Sequence, residues 1–96
     1  MLFALLCTDK PGSAEIRAKT RPDHVAYLNS LGDKMKLAGP FLDDTESATG
    51  SLVVVEAENR AEAEAMAAND PYGKAGLFAS VEIRAWRWTL KNPEAK

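Results

Sequence analysis

The chain is predicted to fold as an α+β domain of order βαββαβ, with a four-stranded antiparallel sheet and both helices on one face, and three observations predict it. Two continuous apolar runs, Leu2 to Cys7 and Leu52 to Val55, read as strands buried on both faces. Helical spacing follows the first and third extended segments and is absent after the second, so the elements alternate in the stated order. The 96 residues, 46% of them apolar, suffice for one domain spanning residues 1–96 and no more. A chain this short buries only about 60–65% of its unfolded surface, so a second copy is the simplest addition to its core.

The first strand stops at Asp9, Lys10, Pro11 and Gly12, a cluster of turn formers. From Ser13 to Leu31 the spacing is helical, with Tyr27, Leu28 and Leu31 on one face, and Gly32 is a plausible stop. Pro22 falls where it should kink this helix or begin its second segment. Met35 to Leu42 is extended, and after the loop Asp43 to Thr49 the β-branched run Leu52 to Val55 pairs with it as a hairpin.

Asn59 with Glu62 three residues on reads as a helix cap, and Ala61 to Ala68 has high helix propensity, with Ala63, Met66 and Ala67 on one face. Pro71 disfavours helical geometry at Asp70, so the helix ends near Asn69. The last strand is expected from Phe78 to about Thr89, followed by a polar tail over 91–96. This order is the ferredoxin-like layout. Right-handed crossovers put both helices on the same side of the sheet and leave the other face open. Val81, Ile83 and Ala85 alternate with Glu82, Arg84, Trp86 and Trp88; two Trp are more than a solvated face should carry, and pairing this open face with the same face of a second copy gives a dimeric α/β barrel.

Composition narrows the classes of function. The net charge is −2 and the basic residues are scattered, so no nucleic-acid partner is expected. The apolar N-terminal run is too short to span a membrane and lacks the basic flank of a signal peptide. The lone Cys7 forms no intrachain disulfide, fits a reducing cytoplasm, and is most simply a core residue. One His and one Cys are too few for the usual zinc set; Asp43 and Asp44 could hold a hard cation, although adjacent acids in a polar loop are usually solvated. No cofactor motif is present, and none is expected.

His24 is the first candidate for chemistry, the one side chain here that ordinarily titrates near neutrality, and it shares the apolar helix face with Tyr27, Leu28 and Leu31. Its plainer reading is a half-buried histidine satisfied by a carbonyl or water. Asp70 meets the negative end of the second helix unless a cation partners it, and an imidazole held by a carboxylate has the fixed orientation of a general acid or base. Otherwise Asp70 and Pro71 only punctuate the helix. Arg17 and Arg21 could form an anion-binding lip or be solvated. Ser51, after Gly50 at a strand start, could bond a ligand or merely cap the strand.

Arg21-Pro22-Asp23-His24, Gly39-Pro40, Gly50-Ser51 and Asp70-Pro71-Tyr72 with Ala75-Gly76-Leu77, in that order and spacing, resemble the YciI-like (YCII-related domain) family over nearly the whole chain. The resemblance implies the ferredoxin-like fold, a dimeric barrel, and an active-site cleft around a histidine and an aspartate, here His24 and Asp70. Ser51, Arg21, Gly39, Pro40 and Tyr72 would bind substrate in the same cleft. By analogy with relatives that act as dehydrochlorinases or muconolactone-type isomerases, the expected activity is a cofactor-independent lyase or isomerase acting on a small anionic or aromatic ligand. The alternative is a non-catalytic ligand-binding or interaction module in which His24 only binds.

Overall fold

The computed structural model describes residues 1–94. Its elements are β1 (Leu2–Asp9), α1 (Ala14–Ser30), a 3-10 turn (Gly32–Lys34), β2 (Met35–Leu42), β3 (Ala48–Glu56), α2 (Arg60–Asn69), α3 (Pro71–Lys74) and β4 (Phe78–Trp86). The strands form one four-stranded sheet of order β2-β3-β1-β4, antiparallel throughout, which is the α+β ferredoxin-like arrangement the sequence predicts.

The two continuous apolar runs take the two central places, because only a central strand is covered on both edges as well as by helices. Register pairs Phe3 with Val55 and Ala85, and Leu5 with Val53 and Ile83. These side chains share one face, where Leu28 of α1 and Ala63, Met66 and Ala67 of α2 pack against them. Each fully buried Leu, Val or Phe there contributes about 1.5–3 kcal/mol. The Tyr27 hydroxyl donates to the Met66 carbonyl at 2.8 Å and ties α1 to α2 across this core. The Asn59 side chain accepts the Glu62 N–H at 2.9 Å, so α2 starts at its expected cap.

Three features differ from expectation. Pro22 lies inside α1 without dividing it. A proline in a helix interior costs about 3 kcal/mol or more, but this one is on the exposed side, while the neighbouring turn is held by buried His24 and Leu28. A short helix, α3, occupies the expected turn after Asp70. β4 ends at Trp86 instead of running to Thr89, so Trp88 lies beyond the strand, with its ring 5.9 Å from that of Trp86 and tilted 38° to it. The chain then returns to the far edge of the sheet, where Glu94 pairs with Lys36 of β2 at 2.8 Å. The last two residues of the expected tail, 95 and 96, lie outside the described residues.

On the face turned away from the helices the register places Ala4, Leu6, Leu52, Val54, Leu37, Phe41 and Trp86, with the exposed Glu82 and Arg84 of the edge strand β4 beside them. Phe41 and Trp86 remain 41% and 39% exposed. Among the described residues no helix is long and apolar enough to cross a membrane.

Candidate active site

Because α1 is continuous, Arg17, Arg21, His24 and Leu28 recur at helical spacing and form one stripe, facing the edge of the sheet near β2. This stripe, with Ala38, Gly39 and Pro40 of β2, Ser51 and Val53 of β3, and Tyr72 of α3, lines a cavity of about 190 Å³.

His24 is 8% exposed and Asp70 5%. The His24 Nδ1 lies 2.8 Å from Asp70 Oδ1 and 2.9 Å from Oδ2. A carboxylate only accepts, so Nδ1 is the donor and carries the proton in the neutral ring, which leaves the lone pair on Nε2. Asp70 Oδ1 also accepts the Tyr72 N–H at 2.9 Å and so caps α3, with Pro71 in the first turn where its missing N–H costs nothing. One carboxylate therefore sets both the short helix and the imidazole. The Tyr72 ring in turn stacks on His24 at 3.8 Å between centroids and 15° between planes. Nε2 makes no hydrogen bond among the described residues, and His24 lines the cavity.

A second chain of contacts runs beside the first. Arg17, one of the two arginines the sequence leaves as solvated or binding, is largely buried: Nε donates to Asp9 Oδ2 at 2.8 Å, and Nη2 to the Gly50 carbonyl at 2.7 Å and Ser51 Oγ at 2.6 Å. Its guanidinium carbon is 4.8 Å from the Tyr72 ring centroid. Gly50 is required here, because a Cβ at this position would overlap the Cys7 carbonyl oxygen, and without it β3 could not lie this close to β1. Arg21 lines the cavity at an exposed position and has no ion-pair partner among the described residues.

The charges in this region act on their neighbours. Burial pushes the Cys7 thiol up to about 12, with Asp70 and Asp9 adding to the shift and Arg17 opposing it. Burial also raises Tyr72 above the usual phenol value, against the pull of Arg17 and Arg21 and with smaller upward pushes from Asp70 and Asp9, so its hydroxyl stays protonated at neutral pH. Asp43 lies apart and spends its Oδ1 on the Thr45 N–H at 2.8 Å and hydroxyl at 2.7 Å and on the Ser47 N–H at 3.1 Å, which closes its own loop. Among the described residues no three His, Cys, Asp or Glu side chains gather as a metal site.

The structure thus brings His24, Asp70, Ser51, Arg21, Gly39, Pro40 and Tyr72 to one cavity or its wall. Sequence reasoning missed Asp9, which reads only as a turn former, and left Arg17 undecided, although its place one and two helical turns before Arg21 and His24 is the signal that would have included it. Wider hollows exist, of about 440 Å³ beside Trp86 and Trp88 and about 400 Å³ between α2 and β4. They are more open and hold no buried acid–base pair.

Comparison with known proteins adds the following. The family model of the YCII-related domain matches residues 1–87. Protein YciI of Escherichia coli is 36% identical over 95 residues, covering 91% of this chain and 97% of the relative. An uncharacterised protein of Haemophilus influenzae is 34% identical over the same shares. Among solved structures, 5-chloro-2-hydroxyhydroquinone dehydrochlorinase (TftG) of Burkholderia phenoliruptrix, in complex with 2,5-dihydroxybenzoquinone, is similar with a TM-score of 0.83 and 38% identity, over 91% of this chain and 94% of that one. A NIPSNAP family protein of Agrobacterium tumefaciens shares the fold at 17% identity, with a TM-score of 0.58 over 98% of this chain and 97% of that one.

Proposed function

The chain belongs to the YCII-related domain family, and from that premise we propose that it is a cofactor-independent lyase or isomerase in which His24 moves a proton at a carbon of a small planar substrate. One observation carries the proposal: both Asp70 oxygens hold Nδ1 of a buried imidazole, so the unpartnered Nε2 is left as the base toward a cavity. Asp70 fixes the ring's tautomer and orientation, the role a buried carboxylate plays beside a histidine base.

The cavity supports a substrate class. An apolar cavity of about 150 Å³ accepts benzene, and about 190 Å³ therefore holds one substituted ring. Val25, Leu28 and Val53 offer it apolar wall, Gly39 and Pro40 form the rim on β2, and Tyr72 backs the imidazole. The unpaired Arg21 at the exposed side attracts an anionic substituent. A related dehydrochlorinase with a dihydroxybenzoquinone bound agrees with a ligand of this size.

We extend the proposal to a homodimer formed through the apolar sheet face that carries Leu37, Phe41 and Trp86, with Trp88 at its end, in a reducing cytoplasm suited to the lone thiol of Cys7. The test of function is turnover of small hydroxylated and chlorinated rings, beginning with 5-chloro-2-hydroxyhydroquinone, followed by chloride release and by uptake of deuterium from heavy water. His24→Ala is expected to lower turnover by about 10²–10⁴-fold with ligand affinity retained. If wild type binds such rings without turning any over and His24→Ala only loses affinity, the protein is a binding module; if His24→Ala keeps full turnover, His24 is not the base.

A further inference from the structure

Ser51 is 3% exposed and lines the cavity, and its Oγ accepts a hydrogen bond from Arg17 Nη2 at 2.6 Å. A hydroxyl has one proton to donate besides the lone pairs with which it accepts. No acceptor for the Ser51 proton occurs among the described residues, although Cys7 pairs with it across the strands. That proton is available to whatever enters the cavity. Accepting from a guanidinium polarises the O–H and strengthens it as a donor.

The guanidinium behind it is locked in place. Asp9 holds Nε, the Gly50 carbonyl shares Nη2 with Ser51, and the Tyr72 ring lies against the group. The Asp9 side chain is itself buried, and its second oxygen, Oδ1, has no hydrogen-bond partner among the described residues, a costly arrangement that packing of the fold alone does not require. Lysine at position 17 could not bond Asp9, Gly50 and Ser51 together, since only the planar fork presents donors in those directions at once.

We infer that Ser51, polarised by Arg17, is the oxyanion-stabilising donor of this site, and that Asp9 is a positioning residue acting through Arg17. The substrate class follows: a ring or chain with a carbonyl or phenolic oxygen next to the carbon at which the proton moves. This rests on the reading of His24 as the base. His24 Nε2 takes the proton from carbon, the C–H electron pair becomes the carbon–carbon double bond of an enolate, and the carbonyl pair moves onto oxygen, where the Ser51 proton meets it. Return of the proton to another carbon completes an isomerisation, and loss of a leaving group as an anion from the adjacent carbon completes an elimination. Neither route needs an oxidant or a reductant. A fixed donor placed where negative charge develops is worth about 10²–10³-fold in rate in other enzymes.

The test uses 4-nitrophenol, a single-ring phenol whose coloured phenolate reports its own ionisation when bound. Wild type is expected to bind the phenolate and to shift the bound phenol toward ionisation relative to the free compound. Ser51→Ala is expected to abolish the shift and to weaken phenolate binding by about 10–100-fold, the range for a hydrogen bond to a charged group. Ser51→Thr restores both, which separates the hydroxyl from any effect on folding. Asp9→Asn and Arg17→Lys reduce the shift, a spectral change that loss of packing alone does not produce. His24→Gln, which abolishes exchange at carbon, keeps it. A wild type that shows no shift at millimolar phenol, or a Ser51→Ala protein that shifts it undiminished, overturns the inference. In the second case loss of carbon exchange in His24→Gln leaves the base standing, and a phenolate shift in a protein that exchanges no carbon proton leaves the anion site and removes the base.

Discussion

Replacing Asp70 by Asn isolates the interaction on which the site depends. Asn caps a helix as well as Asp does, so the bond to the Tyr72 N–H and the start of α3 persist. The change removes the charge that faces His24 Nδ1 at 2.8 and 2.9 Å. Both groups are nearly buried, so the interaction is little screened, and a hydrogen bond to a charged group is worth about 1.5–3 kcal/mol. Each kcal/mol moves the melting temperature of a 60–100-residue domain by about 4–8 °C, which puts Asp70→Asn roughly 6–24 °C below wild type. His24→Gln alone leaves the Asp70 carboxylate short of its partner and is expected to lose a comparable amount, whereas the double variant loses much less than the sum. The cycle, read by thermal and urea unfolding, should give a coupling energy of about 1–3 kcal/mol. Additive losses would mean that the pair contributes through shape alone, and the description of Asp70 as the partner that orients the base would have to be abandoned.

Further outcomes follow from the same geometry. With its thiol pushed up to about 12, Cys7 should resist an aromatic disulfide reagent at pH 8 in the native protein and react at once in guanidinium; rapid native labelling would show that its strand opens or that the thiol is exposed. Gly50→Ala forces a Cβ against the Cys7 carbonyl, which as backbone cannot move aside, and should lower stability by about 1–3 kcal/mol and loosen Arg17; an unchanged melting curve would contradict the close approach of β3 to β1. Trp86→Glu places a charge on the open sheet face and should convert a dimer to monomer in sedimentation, whereas a dimer that survives it uses another surface.

The element order and sheet topology are legible in the sequence because each rests on a short-range signal. Periodicity marks the strands, Asn59 caps α2, and Gly32, in the left-handed region at φ +59°, ends α1. His24 was found as the single imidazole on an apolar face, and Asp70 by its misfit with the end of a helix. What could not be read was contact between elements far apart in the chain. Asp9 looks like turn punctuation until α1 delivers Arg17 above it, and Arg17 looks solvated until Ser51 and Gly50 of β3 arrive beneath it. Pro22 obscured this further, since a broken α1 would have turned Arg17 out of the stripe that holds His24. The sequence overruns the end of β4 because Trp88 keeps the spacing of Trp86, whereas Arg87 would fall in line with Val81, Ile83 and Ala85 on the core side, and there the chain turns back toward Lys36.

The distribution of buried charge argues for the location of function independently of any relative. His24 and Asp70 are buried, and the side chains of Asp9 and Arg17 nearly so, in a small domain whose other core residues are apolar, apart from Ser51 and Ser13. Desolvating an ion pair costs several kcal/mol per ion, and apolar residues of the same volume serve a core at least as well. A 96-residue fold with a marginal core gains nothing for its stability by concentrating that penalty in one place. Arg17 and His24 line one cavity of about 190 Å³, and Asp9 and Asp70 hold them there, although Asp9 also borders a shallower hollow of about 390 Å³ at the turn after β1. One carboxylate orients an imidazole and the other a guanidinium, and among the described residues Nε2 of His24 and the hydroxyl proton of Ser51 are left without partners beside that cavity, where the proposed base and donor are needed.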